Sequence, residues 1–280
     1  MKSMKRRLSA WIGIALFIII TVVLMVPVYY LVISTFKTQA DALRFPLALP
    51  EKWEFGGYVR AWVNMDYPNA FKNSFLITSF SLAGGIFVSS MAAFTFARRR
   101  KRSRLYGVLF YVFLSGMMVP MQMSIMAQYR LIQSLGLMSN ILSVILINIA
   151  GSLPMAILFI RNFIISSVPE QIEEAAVIDG CSVFRIFFSI TLPLLRPVIA
   201  TLAVMNSIGL WNDFLTPLMF LQRRASRTIM LAVNSNIGRF SVNWADMFPM
   251  LLLGVLPLVI FYLLMQKHII KGITMGSVKG

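Results

Sequence analysis

Asn206, Ser207, Trp211, Asn212 and Asp213 crowd into residues 206–213 of an otherwise apolar stretch. A polar side chain inside a membrane-length apolar run is costly and marks a functional position by default. Amides both donate to and accept from hydroxyls, and an indole ring packs against the C–H face of a sugar ring, so Asn beside Trp suits a sugar. Asn148 adds an amide in another apolar run. The plainer alternative is hydrogen bonding between helices, which such residues also provide in membranes. Trp211, Asn212 and Asp213 stand nearer the end of their run, where an outer gate or a contact with an external partner is the competing role.

A second stretch, residues 173–193, reads EEAAVIDGCSVFRIFFSITLP. Ser167 and Glu170 have capping-box spacing, Pro169 suits a first helical turn, and Gly180 suits a left-handed stop. A helix over 168–179 is expected. Its acids, Glu170, Glu173, Glu174 and Asp179, favour the first half, where the helix dipole stabilises them. Helical spacing puts Ile172, Ala175, Ala176 and Asp179 on one face, and Glu170, Glu173, Glu174 and Val177 on another. A helix lying on a lipid surface would carry Lys/Arg and large apolar groups. Acids and alanines point to a protein groove.

Other chemistry is missing. Cys181 and His268 are the only residues of their types, so no metal-ligand or nucleophile–base set can be assembled. No phosphate-binding glycine loop occurs. The chain is expected to hold no metal and no cofactor, and to be no enzyme.

These residues need elements that cross a membrane. The chain has 280 residues, 58% hydrophobic and 13% charged, with mean hydropathy +0.78; soluble domains are about 25% charged. Six apolar runs reach spanning length: 11–34, 74–96, 105–126, 141–165, 198–221 and 248–265. An all-α integral membrane protein, one transmembrane domain over 1–280, is expected. The net charge of +16 is read through its positions. The ARRRKRSR run at residues 97–104 anchors one side as cytoplasmic, leaving both termini inside. Residues 36–72 form an outer polar connection in which Gly56-Gly57 and the prolines mark turns. The tail, 266–280, is basic and glycine-rich.

The stretch at 173–193 resembles the EAA loop of ABC-importer permeases. Glu174, Ala175, Ala176, Gly180, Ile190, Leu192 and Pro193 stand at the motif's positions without a change of spacing. Arg161–Phe163 (RNF), Trp211–Phe214 (WNDF) and the ending KGITMGSVKG resemble the carbohydrate-uptake branch, in particular the second permease of maltose- and raffinose-type systems, over nearly the full length. The resemblance implies a type I importer permease of six spans in a bacterial plasma (inner) membrane. It implies a heterodimer with a second homologous permease, two ATPase subunits that bind ATP and Mg, an extracytoplasmic sugar-binding protein, surrounding lipid, and no nucleic acid. It implies alternating access, with Glu173, Glu174, Ala175, Ala176, Asp179 and Gly180 on a coupling helix seated in an ATPase groove, and the tail residues Gly272, Thr274 and Gly276 reaching the ATPases. The sugar or oligosaccharide would pass Asn148 and the set at 206–213. A non-sugar solute, or a membrane-embedded glycan enzyme, is the competing expectation.

Overall fold

The computed structural model describes residues 2–99, 103–237 and 243–277, with side chains at 11–98, 103–237, 243–264 and 266. In chain order the helices are α1 (Lys2–Ser34), α2 (Gln39–Arg44), α3 (Gly56–Asn64), α4 (Tyr67–Arg99), α5 (Arg104–Ser115), α6 (Met121–Ser134), α7 (Ile141–Ser167), α8 (Glu170–Ile178), α9 (Val183–Ile186), α10 (Leu192–Leu194), α11 (Arg196–Trp211), α12 (Leu215–Phe220), α13 (Ile229–Ser235) and α14 (Trp244–Ser277). Four of them, α1, α4, α7 and α14, are long and apolar enough to cross a membrane, and two bent pairs bring the number to as many as six. Most of α1 is exposed within this chain. That is stable in lipid, because a helix satisfies its own backbone and hydrocarbon takes up its apolar side chains.

Two expected spans are broken. The run at 105–126 bends by 103° between Met118 and Met121. Pro120 is the cause: its ring drives the residue before it out of the helical region, and Val119 takes φ −90°, ψ 112°. The run at 198–221 also divides. α11 stops at Trp211, and Asn212 (φ −85°, ψ 0°) leaves the helix. Side chains bond the backbone there: Asn212 Nδ2 donates to Ile208 O (3.0 Å), which also accepts from Asn212 N, and Asp213 Oδ1 accepts from the freed Thr216 N (3.1 Å). A further bend of 70° separates Val183–Leu194 from α11, after a π turn at Phe187–Thr191 that precedes Pro193.

Two compact units result: Met1–Tyr67 with Ala232–Leu256, and Pro68–Leu231 with Pro257–Gly280. In the first, Gly56 and Gly57 open α3 instead of marking a turn. A Cβ at Gly57 would lie 2.6 Å from Ala245 O, so only glycine lets α3 approach the start of α14 this closely. Phe36 gathers Trp53, Phe55 and Tyr58 at centroid distances of 5.2, 5.3 and 5.7 Å. The ammonium of Lys37 is buried, and donates to Phe45 O (2.7 Å) and Pro46 O (2.9 Å) at the end of α2. That burial holds its pKa below the usual lysine range, against the opposing pull of Asp41.

In the second unit, one buried cluster joins Ala93 and Phe96 of α4, Phe110 of α5, Ile157, Ile160 and Ile164 of α7, and Leu202 of α11. Arg161 lies within it, its guanidinium 4.4 Å from the Phe110 ring centroid. A second cluster joins Ile77, Ile132, Val144 and Phe220. α4 and α7 cross closely at Gly84 and Gly85, where a Cβ would lie 2.5 Å from Ile149 Cδ1 and 2.6 Å from Ser152 Oγ. Small residues at a crossing are the usual means of close helix packing in lipid.

Candidate functional site: the α8 loop and the membrane cavity

α8 covers Glu170–Ile178, shorter at both ends than the expected 168–179. Its start is not a capping box. Ser167 is still the last residue of α7 and its hydroxyl lies 3.0 Å from that of Ser166. Pro169, at φ −61°, ψ 131°, makes the turn between the two helices. Its end is a Schellman stop. Gly180 sits at φ +76°, Gly180 N donates to Val177 O (3.0 Å), and Cys181 N to Ala176 O (2.9 Å).

The faces differ from those that the spacing suggested. Glu173 and Ala176 are buried together against the chain's own helices. Glu174, Ala175, Val177, Asp179 and Gly180 face outward. The loop is tipped by Ile178, 86% exposed, and Phe184, 69% exposed. Adjacent helical residues point about 100° apart, and the edge of the buried face falls between Glu173 and Glu174.

Glu173 is held by Arg98, which the sequence presented only as part of a basic run. Arg98 Nε donates to Glu173 Oε2 (2.8 Å), and Arg98 Nη2 to Glu173 Oε1 (2.9 Å). The same Nη2 donates to Val168 O (2.9 Å), and Thr191 Oγ1 donates to Glu173 Oε1 (3.1 Å). Glu170 Oε1 lies 3.7 Å from Arg98 Nη1. A bidentate Arg–carboxylate pair is a strong and directional contact. Nothing local in the sequence couples positions 98 and 173, which is why spacing missed it.

The second site is a cavity of about 930 Å³ within the second unit. Its walls come from α4 (Ser81, Gly85), the bend between α5 and α6 (Gly116, Val119), α6 (Ser124, Gln128), α7 (Asn148, Ser152) and α11 (Asn206, Gly209). The Pro120 break, invisible to a hydropathy window, is what opens this wall. Of the sequence candidates, Asn148, Asn206 and Asp213 line the cavity, and Ser207, Trp211 and Asn212 do not. Ser207 is buried and bonds Val204 O (2.8 Å), and Trp211 meets Phe71 edge-on at 6.0 Å. Ser81, Ser124, Gln128, Ser152 and Thr216 are lining residues the sequence did not single out. Asp213 is the one charged residue among the described lining residues, and none of them is aromatic. Most of the wall is apolar, the Ser124 and Ser152 hydroxyls bond carbonyls of their own helices, and Asn206 and Asp213 are polar lining residues near its α11 end.

The tail residues Gly272, Thr274 and Gly276 belong to the continuous backbone of α14, which runs to Ser277. Their surroundings, and residues 278–280, lie outside the described residues.

Residues 85–275 match the family described as binding-protein-dependent transport system inner membrane component. The chain is 31% identical over 272 residues to the probable ABC transporter permease protein YurM of Bacillus subtilis, covering 97% of this chain and 88% of that one. It is 31% identical to the melibiose/raffinose/stachyose import permease protein MelC of the same organism, covering 91% of each. It is 30% identical to the diacetylchitobiose uptake system permease protein NgcG of Streptomyces coelicolor, covering 98% and 90%. The fold matches a chain from a bacterial ABC transporter involved in the import of the acidic polysaccharide alginate, with TM-score 0.81 at 20% identity over 93% of this chain and 96% of that one. A membrane-embedded enzyme is thereby set aside. The chain belongs to the binding-protein-dependent transport system inner membrane components, the multi-pass permease subunits of ABC importers.

Proposed function

We propose that this chain is the second-type permease of an importer that moves a neutral sugar or oligosaccharide into the cytoplasm by alternating access. It pairs with a different, homologous permease, receives its cargo from an extracytoplasmic sugar-binding protein, and rests on two ATPase subunits that bind ATP and Mg. Both termini and α8 lie on the cytoplasmic side, as the basic run at 97–104 favours. The exposed tip of α8 seats in a groove of one ATPase, with Glu174 at its edge. Closure of the ATPases on ATP displaces α8, and the helices around the cavity turn from inward- to outward-facing. Gly272, Thr274 and Gly276 extend α14 toward the ATPases.

The single observation that carries the coupling role is the α8 loop itself. It is stopped by Gly180, clamped on its inner face, and presents Val177 and Ile178 between the exposed acids Glu174 and Asp179 on its outer face. An exposed apolar patch rimmed by polar groups marks a protein or membrane contact, and the acids beside this one, with no Lys or Arg on α8, favour protein. Sugar as cargo is supported by relatives named for sugar import and by the amide and carboxylate residues Asn206 and Asp213 set in a mainly apolar cavity wall. Uptake by proteoliposomes holding both permeases and both ATPase subunits tests it. With binding protein outside and ATP inside, a labelled neutral oligosaccharide from a panel should accumulate. Uptake of no sugar, with uptake of an amino acid or an inorganic ion instead, overturns the cargo.

A further inference from the structure

The Arg98–Glu173 pair occupies a special place. Arg98 is near the C-terminal end of α4, and its guanidinium also bonds Val168 O, the cap of α7. Glu173 is on α8, and its carboxylate also accepts from Thr191, the last residue of the π turn before α10 and α11. One ion pair therefore ties α8 to three elements at once. Two of the helices so reached, α4 and α7, line the cavity farther along at Ser81 and Gly85, and at Asn148 and Ser152; α11, which follows the π turn through α10 and the 70° bend, adds Asn206 and Gly209.

The pair is also enclosed. The Arg98 and Glu173 side chains are 14% and 11% exposed. An ion pair at an open surface contributes little and is readily exchanged for water. Removing one partner of an enclosed pair strands a charge and is strongly destabilising. Both Glu173 oxygens are engaged, so the carboxylate cannot turn without losing a bond. The adjoining π turn is a rare geometry that concentrates at functional positions.

We infer that Arg98 and Glu173 are positioning residues for energy coupling: they lock α8 to the ends of α4 and α7 and to the turn leading into α11, so that a push on α8 moves the cavity walls as one body. The inference rests on the reading of α8 as the ATPase-docking helix. Neither residue meets the ATPase or the cargo. The outer face, Glu174 with Val177 and Ile178, receives the push, and the inner face passes it on. Without the clamp α8 still docks, but swings on the Val168–Pro169 turn.

The test uses the full complex of both permeases, two ATPase subunits and the binding protein, in proteoliposomes. It reads the ATP hydrolysed per sugar moved, together with the mobility of a nitroxide at Gln171→Cys in a Cys181→Ser background. Arg98→Gln and Glu173→Gln should assemble with the normal number of ATPase subunits. ATP spent per sugar should rise about tenfold, within the span of typical coupling energies, and the nitroxide should loosen. Thr191→Val should shift both readings in the same direction, and Thr191→Ser, which keeps the hydroxyl, should leave both at the wild-type value. If Arg98→Gln does not assemble, Glu173→Gln and Thr191→Val decide. Wild-type stoichiometry and mobility in the assembled clamp variants overturn the inference. Ile178→Asp serves as the separate control: its normal assembly and transport would overturn the docking role of α8 itself, whereas lost assembly with normal coupling in the clamp variants overturns the clamp alone.

Discussion

Gly180 ends α8 at φ +76°, and replacing it measures how far docking depends on that stop. A Cβ in the left-handed region costs about 1–2 kcal/mol. No other heavy atom lies within 4 Å of the place a Cβ would take, so alanine meets no clash inside this chain and the cost is backbone alone. A penalty of about that size lowers the population of the correctly turned loop roughly 5–30-fold. Valine should cost more, because a branched Cβ further restricts its backbone. Asparagine visits this region readily and should stay near wild type. Purified complexes of Gly180→Ala, Gly180→Val and Gly180→Asn should show ATPase-subunit occupancy and binding-protein-stimulated hydrolysis falling in the order Asn, Ala, Val. Wild-type coupling in Gly180→Val, or equal loss in Gly180→Asn, would refute the argument that the left-handed stop presents the loop.

Three further outcomes follow from the same geometry. Asn148→Leu and Asn206→Leu remove cavity-wall amides and should weaken sugar uptake, whereas Ser207→Ala, outside the cavity, should leave it within about twofold; uptake assays at limiting sugar decide. For orientation in a Cys181→Ser background, Val59→Cys, exposed on α3, should react with an impermeant thiol reagent outside intact cells, and Ser182→Cys should not; the reverse labelling overturns the assigned sidedness. Deleting residues 272–280 should lower stimulated ATP hydrolysis while leaving membrane insertion intact, and unchanged transport would remove the tail from the mechanism.

Much of this was legible in the sequence because its signals are local. Apolar length gave α1, α4, α7 and α14, and Gly180 gave the end of α8 through its own backbone freedom. The breaks were harder. Pro120 is also local, but an apolar window averages over it, so the bend that opens the cavity was lost. Asn212 and Asp213 drew notice as polar residues, although both also bond backbone groups where α11 stops and α12 starts. Trp211 suited a sugar ring by type, yet its ring packs against Phe71. The clamp was out of reach, since Arg98 and Glu173 meet only through the tertiary packing of α4 against the α7–α8 turn. Spacing alone placed Glu173 with Glu174 on one acidic face, where burial separates them.

Proximity between α8 and an ATPase subunit tests the central claim most directly. A photo-crosslinking amino acid at Ile178, the most exposed large apolar side chain of the loop, reports what that tip touches in the working transporter. Irradiation of the assembled complex should join this chain to an ATPase subunit, and Gly180→Val should reduce the yield. A complex that transports normally yet crosslinks at Ile178 only to lipid or to the partner permease would contradict the account.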